Sequence, residues 1–335
     1  MGAAHRTTMH GARCVVLVLV LVLALPVALK DTGAPVASLV PPVPGVPRPV
    51  VVMVLNSAYT RVFENFIRAP GAHHLAAWET HIICTDRATA VSLAKLGWRC
   101  QDTVKTGRSA AQVYTRRIPY VAHLVHLGRD VLITDVDAIW LGDPLPDIMA
   151  TQAGIIGSRG RSPHLDWGAS LCMGFIFFRG SDPLVRAAMP VLTEPMREDQ
   201  TDFNHNMQRE RLVWDEGRVR FVDSIDTSFG TLRPKNANAG HAGLRVAMLP
   251  HKSYVRICED KVDYSTVIIA HCHSRGKRAH LKVQSLGAKN LWYIPEKGRP
   301  DIDPHPPMPQ PGTARWSAFV AQQRAPASNA SAPSP

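Results

Sequence analysis

The chain has 335 residues, 45% hydrophobic and 19% charged, with a formal net charge of +11. That suits one large globular domain or two small ones, with enough core to fold alone. The basic balance favours phosphate-bearing partners, whether nucleic acid, anionic lipid or a nucleotide-linked substrate. The six cysteines include no CxxC pair, which argues against a zinc cluster.

The first element is apolar. Residues 14–29 read CVVLVLVLVLALPVAL, with Arg6 and Arg13 before them and Lys30 after. The run is shorter than the roughly 20 residues that span an average bilayer. It is expected to be a signal anchor in a thin early-secretory membrane, or the core of a cleaved signal peptide with Val36-Ala37-Ser38 as the site. The basic flank is N-terminal, so residues 1–13 are expected in the cytosol and the rest in the lumen, as a single-pass type II protein. Genomic nucleic acid is then excluded as a partner. Arg6 stands where a myristoylation signal needs Ser or Thr. Residues 30–48, rich in Pro, Val and Gly, read as a stem. Five cysteines lie beyond the apolar run, an odd number, which leaves at least one thiol free or paired between chains. Cys84–Cys100 and Cys258–Cys272 are possible disulfides.

From residue 49 to 294 the pattern alternates. PVVVMVLN (49–56) predicts a strand and SAYTRVFENFIRA a helix. THIICT (80–85) predicts a strand and RATAVSLAKLGW a helix. Over 109–127, Tyr114, Ile118, Val121 and Val125 share a helical face, with Pro119 expected to kink or split the helix. DVLITDVD (130–137) is the next strand. This β-α-β-α-β order predicts an α/β fold with a mostly parallel, doubly wound sheet, in which ligands bind beyond the carboxyl ends of the strands. Asn56, Asp86, Asp135 and Asp137 lie at or just past such ends. AGIIGS (153–158), CMGFIFFR (172–179), a helix near 182–193, a polar helix around 199–210 and YSTVIIAHC (264–272) form a more irregular half, expected to build the acceptor side. Residues 295–335 are rich in Pro, Ala and Ser and read as a disordered tail carrying the sequon Asn329-Ala330-Ser331.

Asp135 and Asp137 carry the chemistry. Two apart at an extended strand end, they point to one face. Facing carboxylates repel unless a cation or proton intervenes, and their hard oxygens suit Mg²⁺ or Mn²⁺. Such a metal would neutralise a departing nucleoside diphosphate. A haloacid-dehalogenase-type phosphatase also places DxD after an apolar strand, the first Asp as nucleophile and the second as acid. That strand usually opens its fold, whereas here two strand-helix units precede it. Downstream no acidic pair stands out for its metal, although Asp199 and Asp202 could be argued. Solvated strand-end residues are the third reading.

GRDVLITDVDAIWLGDPLPDI resembles the core of the nucleotide-diphospho-sugar transferase domain of glycosyltransferase family 77, with Arg129 in place of the usual aromatic residue. Further segments match in order. VVMVLNSAYTRVFENFI carries Asn56 and Asn65, TRR carries Arg116 or Arg117, and CMGFIFFRGSD carries Gly174-Phe175. EDQTDFNHNM carries Asp199, Gln200 and Asn204, and IIAHCHSRGKRAHLKVQSLGAKNLW closes the match. The similarity spans roughly Val50 to Tyr293.

The resemblance implies a GT-A fold, a metal-dependent nucleotide-sugar donor (a UDP-sugar), retention of anomeric configuration and a glycan or glycoprotein acceptor in the Golgi or ER. It implies Asp137, Asp135 and His271 or His273 as metal ligands, with His271 favoured and Asp135 shared with the ribose. Arg117 and Lys277 (or Lys282) would offset diphosphate charge, and Asn56 would meet the nucleobase or ribose. Gly174 would lie against the donor. Asp199 and Gln200 would serve the sugar side of the reaction centre, unless Asp199 merely caps its helix. Cys172 reads as packing or disulfide. A transferase fold that has lost turnover and only binds sugar nucleotide or glycan is the remaining alternative.

Overall fold

The structure is a computed structural model. It describes residues 47–103, 110–160, 166–194, 196, 198–222, 224–233, 243–258, 262–272, 278–295, 308–310, 313–314 and 317–318, all within one unit. The apolar run 14–29, nearly all of the stem, His273, Lys277 and most of the tail lie outside these residues. Among the described residues no helix is long and apolar enough to cross a membrane.

β1 (Val50–Leu55) and β2 (Glu79–Cys84) form where expected, joined through α1 (Thr60–Phe66). α2 (Arg87–Lys95) leads to the short β3 (Asp102–Thr103), and α3 (Ala110–His126) leads to β4 (Val131–Thr134). α3 runs on through Pro119, which is exposed. The next elements are β5 (Ile139–Trp140), α4 (Leu145–Thr151), β6 (Ile155–Gly160), β7 (Ser170–Phe178), α5 (Pro183–Thr193) and α6 (Asp199–Arg209). β8 (Leu212–Trp214), β9 (Ser228–Leu232), β10 (Leu244–Met248), β11 (Tyr254–Val255), β12 (Ile269–Ala270) and α7 (Ala279–Ala288) complete the fold.

The main sheet has the order β3-β2-β1-β4-β7-β6-β10-β9-β8. β3, β2, β1 and β4 are mutually parallel, as are β6 and β10, while β7 and β9 run against their neighbours. The chain leaves β1 toward β2 and returns to β4 on the other side, so β1 and β4 flank the topological switch point, where open α/β sheets bind ligands. Successive strand residues point to opposite faces. Val51, Met53, Leu132, Phe175 and Phe177 meet α1, α2 and α7 in one core. Val50, Val52, Ile133, Ile176 and Phe178 meet α3, α5 and α6 in another. The sheet is thus buried on both faces, and its strands read as unbroken apolar runs.

Three sequence expectations change, and a second sheet appears that the sequence did not announce. The strand before the aspartates ends at Thr134, and 135–138 is a turn closed by the Ala138 N–H donating to the Asp135 carbonyl (2.9 Å). YSTVIIAHC is mostly not strand: Tyr264–Thr266 is a 3₁₀ turn capped by Asp263, which leaves two residues to pair as β12. Trp140 and its short strand β5 belong to a second sheet, β11-β12-β5. The tail does not lie wholly outside the fold. The Met308 N–H donates to the Ile67 carbonyl (3.0 Å), its carbonyl accepts from the Trp98 indole (2.9 Å), and its side chain is buried.

Both candidate disulfides form, Cys84–Cys100 and Cys258–Cys272, and Cys172 is free and buried.

Candidate metal centre

The centre begins with the turn after β4. Val136 and Ala138 bury their side chains in the core, which leaves Asp135 and Asp137 to turn the other way. The Asp135 N–H donates to the Gly174 carbonyl (2.8 Å) on antiparallel β7, so the pairing of β4 with β7 continues into the turn.

His271 reaches the same place from the second sheet. It follows β12, its N–H donates to the Val255 carbonyl (2.8 Å), and its own carbonyl accepts from Arg256 Nη1 (2.9 Å). Its Nε2 lies 3.5 Å from Asp137 Oδ1 and 3.8 Å from Asp135 Oδ2. One ligand atom from each of Asp135, Asp137 and His271 falls within 4.8 Å of the others.

Gly174 lies beneath this group. A Cβ there would come within 2.2 Å of His271 Cε1 and 2.6 Å of Asp135 Oδ2, so a side chain and the cluster exclude one another. Two carboxylates and an imidazole, with room kept by a glycine, suit a divalent cation such as Mn²⁺ or Mg²⁺. The side chains of Asp137 and His271 are 6% and 3% exposed and that of Asp135 is 35% exposed, so a ligand approaches from the Asp135 side.

Three cations and a phenol surround the group. Arg117, on α3, forks between Asp135 Oδ1 (2.5 Å) and Asp199 Oδ2. Burial alone would lower its pKa, but Asp199 and Asp135 raise it above the ordinary value, so it stays charged. Lys282, on α7, pairs with Asp137 Oδ2. Burial would raise the Asp137 carboxyl, yet Lys282 and His271 hold it far below the usual carboxylate range. Tyr59, in the turn after β1, has its hydroxyl pushed well above its ordinary value by burial and by Asp137 and Asp135. Burial and Arg256 push the His271 imidazole down, but Asp137 and Cys172 outweigh them.

Cys172 does more than fill space. Its Sγ lies 3.6 Å from His271 Nδ1, on the ring side away from the carboxylates. Burial would raise the thiol, but Arg256, His271 and the Gly174 N–H bring it down to about 6. A histidine ligand is ordinarily oriented by a partner on its other nitrogen, and Cys172 occupies that position.

The remaining expected residues fall nearby or outside the description. Asn56 follows β1 and does not cap the 3₁₀ turn Ser57–Tyr59 with its side chain; its Oδ1 is buried without a hydrogen-bond partner. Asp199 is the first residue of α6 and uses its other oxygen on the Gln200 N–H (2.7 Å). Gln200 lies over Gly160, where a Cβ would come within 3.1 Å of its Nε2. Asp202 accepts from the Glu198 N–H (2.8 Å), while Asp199 Oδ2 accepts from Arg117. Asp86 caps α2, accepting from Thr89 N (2.7 Å) and from Ser57 N (2.9 Å). Asn65 and Asn204 are structural, tying α1 to Leu291 and Tyr293 and α6 to β7. Tyr59 and Cys172 were not expected at the site. Their only sequence signal is position, three residues after Asn56 and two before Gly174.

The family described as nucleotide-diphospho-sugar transferase matches residues 80–283, more than half of the chain. No curated protein matches the chain. Among solved structures, the glycosyltransferase GlyE of Streptococcus pneumoniae is 12% identical, with 74% of this chain and 65% of that chain covered and a TM-score of 0.39. The galactosyltransferase LgtC, in complex with donor and acceptor sugar analogs, is 13% identical over 47% of this chain and 69% of that chain, with a TM-score of 0.33. Mouse xyloside xylosyltransferase 1 is 10% identical over 48% of this chain and 82% of that chain, with a TM-score of 0.31. The chain therefore spans slightly less than two thirds of the GlyE chain.

Proposed function

Because the chain belongs to the nucleotide-diphospho-sugar transferase family, we propose that it is a divalent-metal-dependent, retaining glycosyltransferase that moves a sugar from a UDP-sugar to a glycan or glycoprotein acceptor. The observation that carries this reading is the convergence of Asp135, Asp137 and His271 beside the β1/β4 switch point. A bound Mn²⁺ or Mg²⁺ would act there as a Lewis acid that neutralises the leaving diphosphate.

The chain's own residues divide the remaining work. Asp137 and His271, the buried pair, would hold the metal. Asp135, the exposed member, faces the donor while Arg117 fixes one of its oxygens. Asn56, with an unpartnered buried Oδ1 at the end of β1, offers an acceptor to the base or ribose. Lys277 or Lys282 supplies positive charge to the diphosphate. Asp199 holds Arg117, and Gln200, beside it, is placed to meet the sugar. No carboxylate is assigned as a covalent nucleophile, so retention is read as a front-face displacement: the acceptor oxygen bonds to the anomeric carbon as its bond to the diphosphate breaks, and the departing phosphate oxygen takes the acceptor's proton.

The detailed likeness of GRDVLITDVDAIWLGDP to glycosyltransferase family 77 favours that branch. Two disulfides favour an oxidising lumen and so the Golgi or ER, with residues 14–29 as anchor or signal and 49–294 as catalytic domain.

The test is UDP release from a panel of UDP-sugars by purified protein, with and without Mn²⁺. Mn²⁺-dependent release that Asp137→Ala abolishes is the expected result. Metal-dependent binding without turnover, across donors and candidate acceptors, would replace the transferase with a sugar-nucleotide-binding protein.

A further inference from the structure

The Lys282 ammonium does not wait at the rim of the site; it is seated on the metal-binding carboxylate itself. It pairs with Asp137 Oδ2 while His271 Nε2 faces Oδ1 of the same group. The side chains of Lys282 and Asp137 are 14% and 6% exposed, so this pair is screened far less than a surface pair. A divalent cation held by Asp135, Asp137 and His271 draws on the same carboxylate. The two cations then compete for it and repel each other at short range.

A diphosphate changes that balance, since it brings the negative charge that the crowded cations lack. Lys282 is suited to such an exchange. Its stem leaves α7, an element held at its far end by Asn65, whose Nδ2 donates to the Leu291 carbonyl (2.9 Å) and whose Oδ1 accepts from the Tyr293 N–H (2.5 Å). The flexible four-carbon stem lets the head group move while the helix stays in place.

Building on the metal-site reading above, we infer that Lys282 couples metal loading to diphosphate binding. It disfavours the metal alone, as the resident counter-cation of Asp137, and favours the metal–diphosphate pair, as a partner of the phosphates. By linkage, metal and nucleotide each then bind tighter in the presence of the other. Removing the charge must tighten the metal alone and weaken the coupling, two effects of opposite sign that general damage to the fold would not produce together.

The experiment follows free Mn²⁺ by electron paramagnetic resonance in titrations of the purified protein, with and without UDP. It compares the unaltered chain with Lys282→Gln, Lys282→Met and Asp137→Ala. Lys282→Met keeps the apolar stem, so agreement between the two Lys282 variants separates loss of charge from loss of packing. In the unaltered protein UDP is expected to tighten Mn²⁺ by roughly tenfold or more. In both Lys282 variants Mn²⁺ alone is expected to bind roughly tenfold tighter, with the gain from UDP reduced by a similar factor. Mn²⁺ affinity unchanged or weakened in Lys282→Met, with the gain from UDP intact, overturns the inference and leaves the metal site standing. Failure of the unaltered protein to bind Mn²⁺ more tightly than Asp137→Ala overturns the metal site itself.

Discussion

At the scale of single residues, the centre is built by exclusion as much as by attraction. Asp135 and Asp137 turn away from the core cluster that buries Val136 and Ala138, Asp135 toward solvent and Asp137 into the buried centre. Gly174 contributes only the absence of a side chain, and that absence is what lets Asp135 and His271 approach. Gly174→Ala puts a methyl group within 2.2 Å of one ring atom. Overpacking of this kind costs about 1–3 kcal/mol. The ligands must also part, so the variant is expected to lose at least tenfold in Mn²⁺ affinity, a difference of about 1.4 kcal/mol. A Mn²⁺ titration beside a melting curve checks this; full affinity in the variant contradicts the packing described. The paired aspartates were legible in sequence because the apolar run and the W-L-x-D-P that follow frame them. Sequence matched Arg116 or Arg117 to the family's basic residue and gave the diphosphate role to Arg117, and α3 turns Arg117 onto Asp135 and Asp199. Tyr59 and Cys172 left no comparable trace, since their relation to the cluster arises only when separate strands meet.

At the scale of elements, two local devices hold the site's supports. Asp86 looked from sequence like a ligand-facing strand-end residue. It instead ties the turn after β1 to the N-terminus of α2. Its slight burial would raise its pKa, but hydrogen bonds from Ser57 and Thr89 outweigh this and lower it. A depressed carboxylate contributes stability that is complete above its unfolded pKa, near 3.9, and is lost as pH falls through the folded value. Asp86→Ala is expected to cost about 1 kcal/mol at neutral pH. Urea melts at several pH values should show the gap to the unaltered protein closing in acid; a gap that persists there contradicts the role.

The disulfides offer a paired comparison. Cys84–Cys100 and Cys258–Cys272 close loops with sequence separations of 16 and 14. Loops of such similar length are each worth about 3 kcal/mol in the chain-entropy account. Only Cys272 adjoins His271, so replacing Cys258 and Cys272 by Ser should weaken Mn²⁺ binding, and replacing Cys84 and Cys100 should not. Thermal melting would show similar losses for both variants. Equal Mn²⁺ affinities would remove the second bridge from the account of how His271 is placed.

Elements also explain what sequence withheld. β1, β2, β4 and α2 were legible because unbroken apolar runs alternate with a capped helix. β5, β11 and β12 have two residues each, too few for any period to register. The reversed direction of β7 and β9 leaves no mark on hydropathy. α7, which carries Lys282, has only Leu286 buried and so presents no apolar stripe.

At the scale of the whole molecule, a sheet covered on both faces leaves its strand ends as the place for chemistry. The strand order β3-β2-β1-β4 puts a switch point between β1 and β4, and the turns carrying Asn56, Tyr59 and Asp135 all spring from it. The fold supplies the position, β7 and β12 supply Gly174 and His271, and the basic charge of +11 suits an anionic donor. The measurement that tests this account most directly is calorimetric titration of UDP into purified protein, in Mn²⁺ and in EDTA, for the unaltered chain and Asp137→Ala. The account predicts tight binding only for the unaltered chain in Mn²⁺. Equal UDP affinity in EDTA, or in Asp137→Ala, would contradict it.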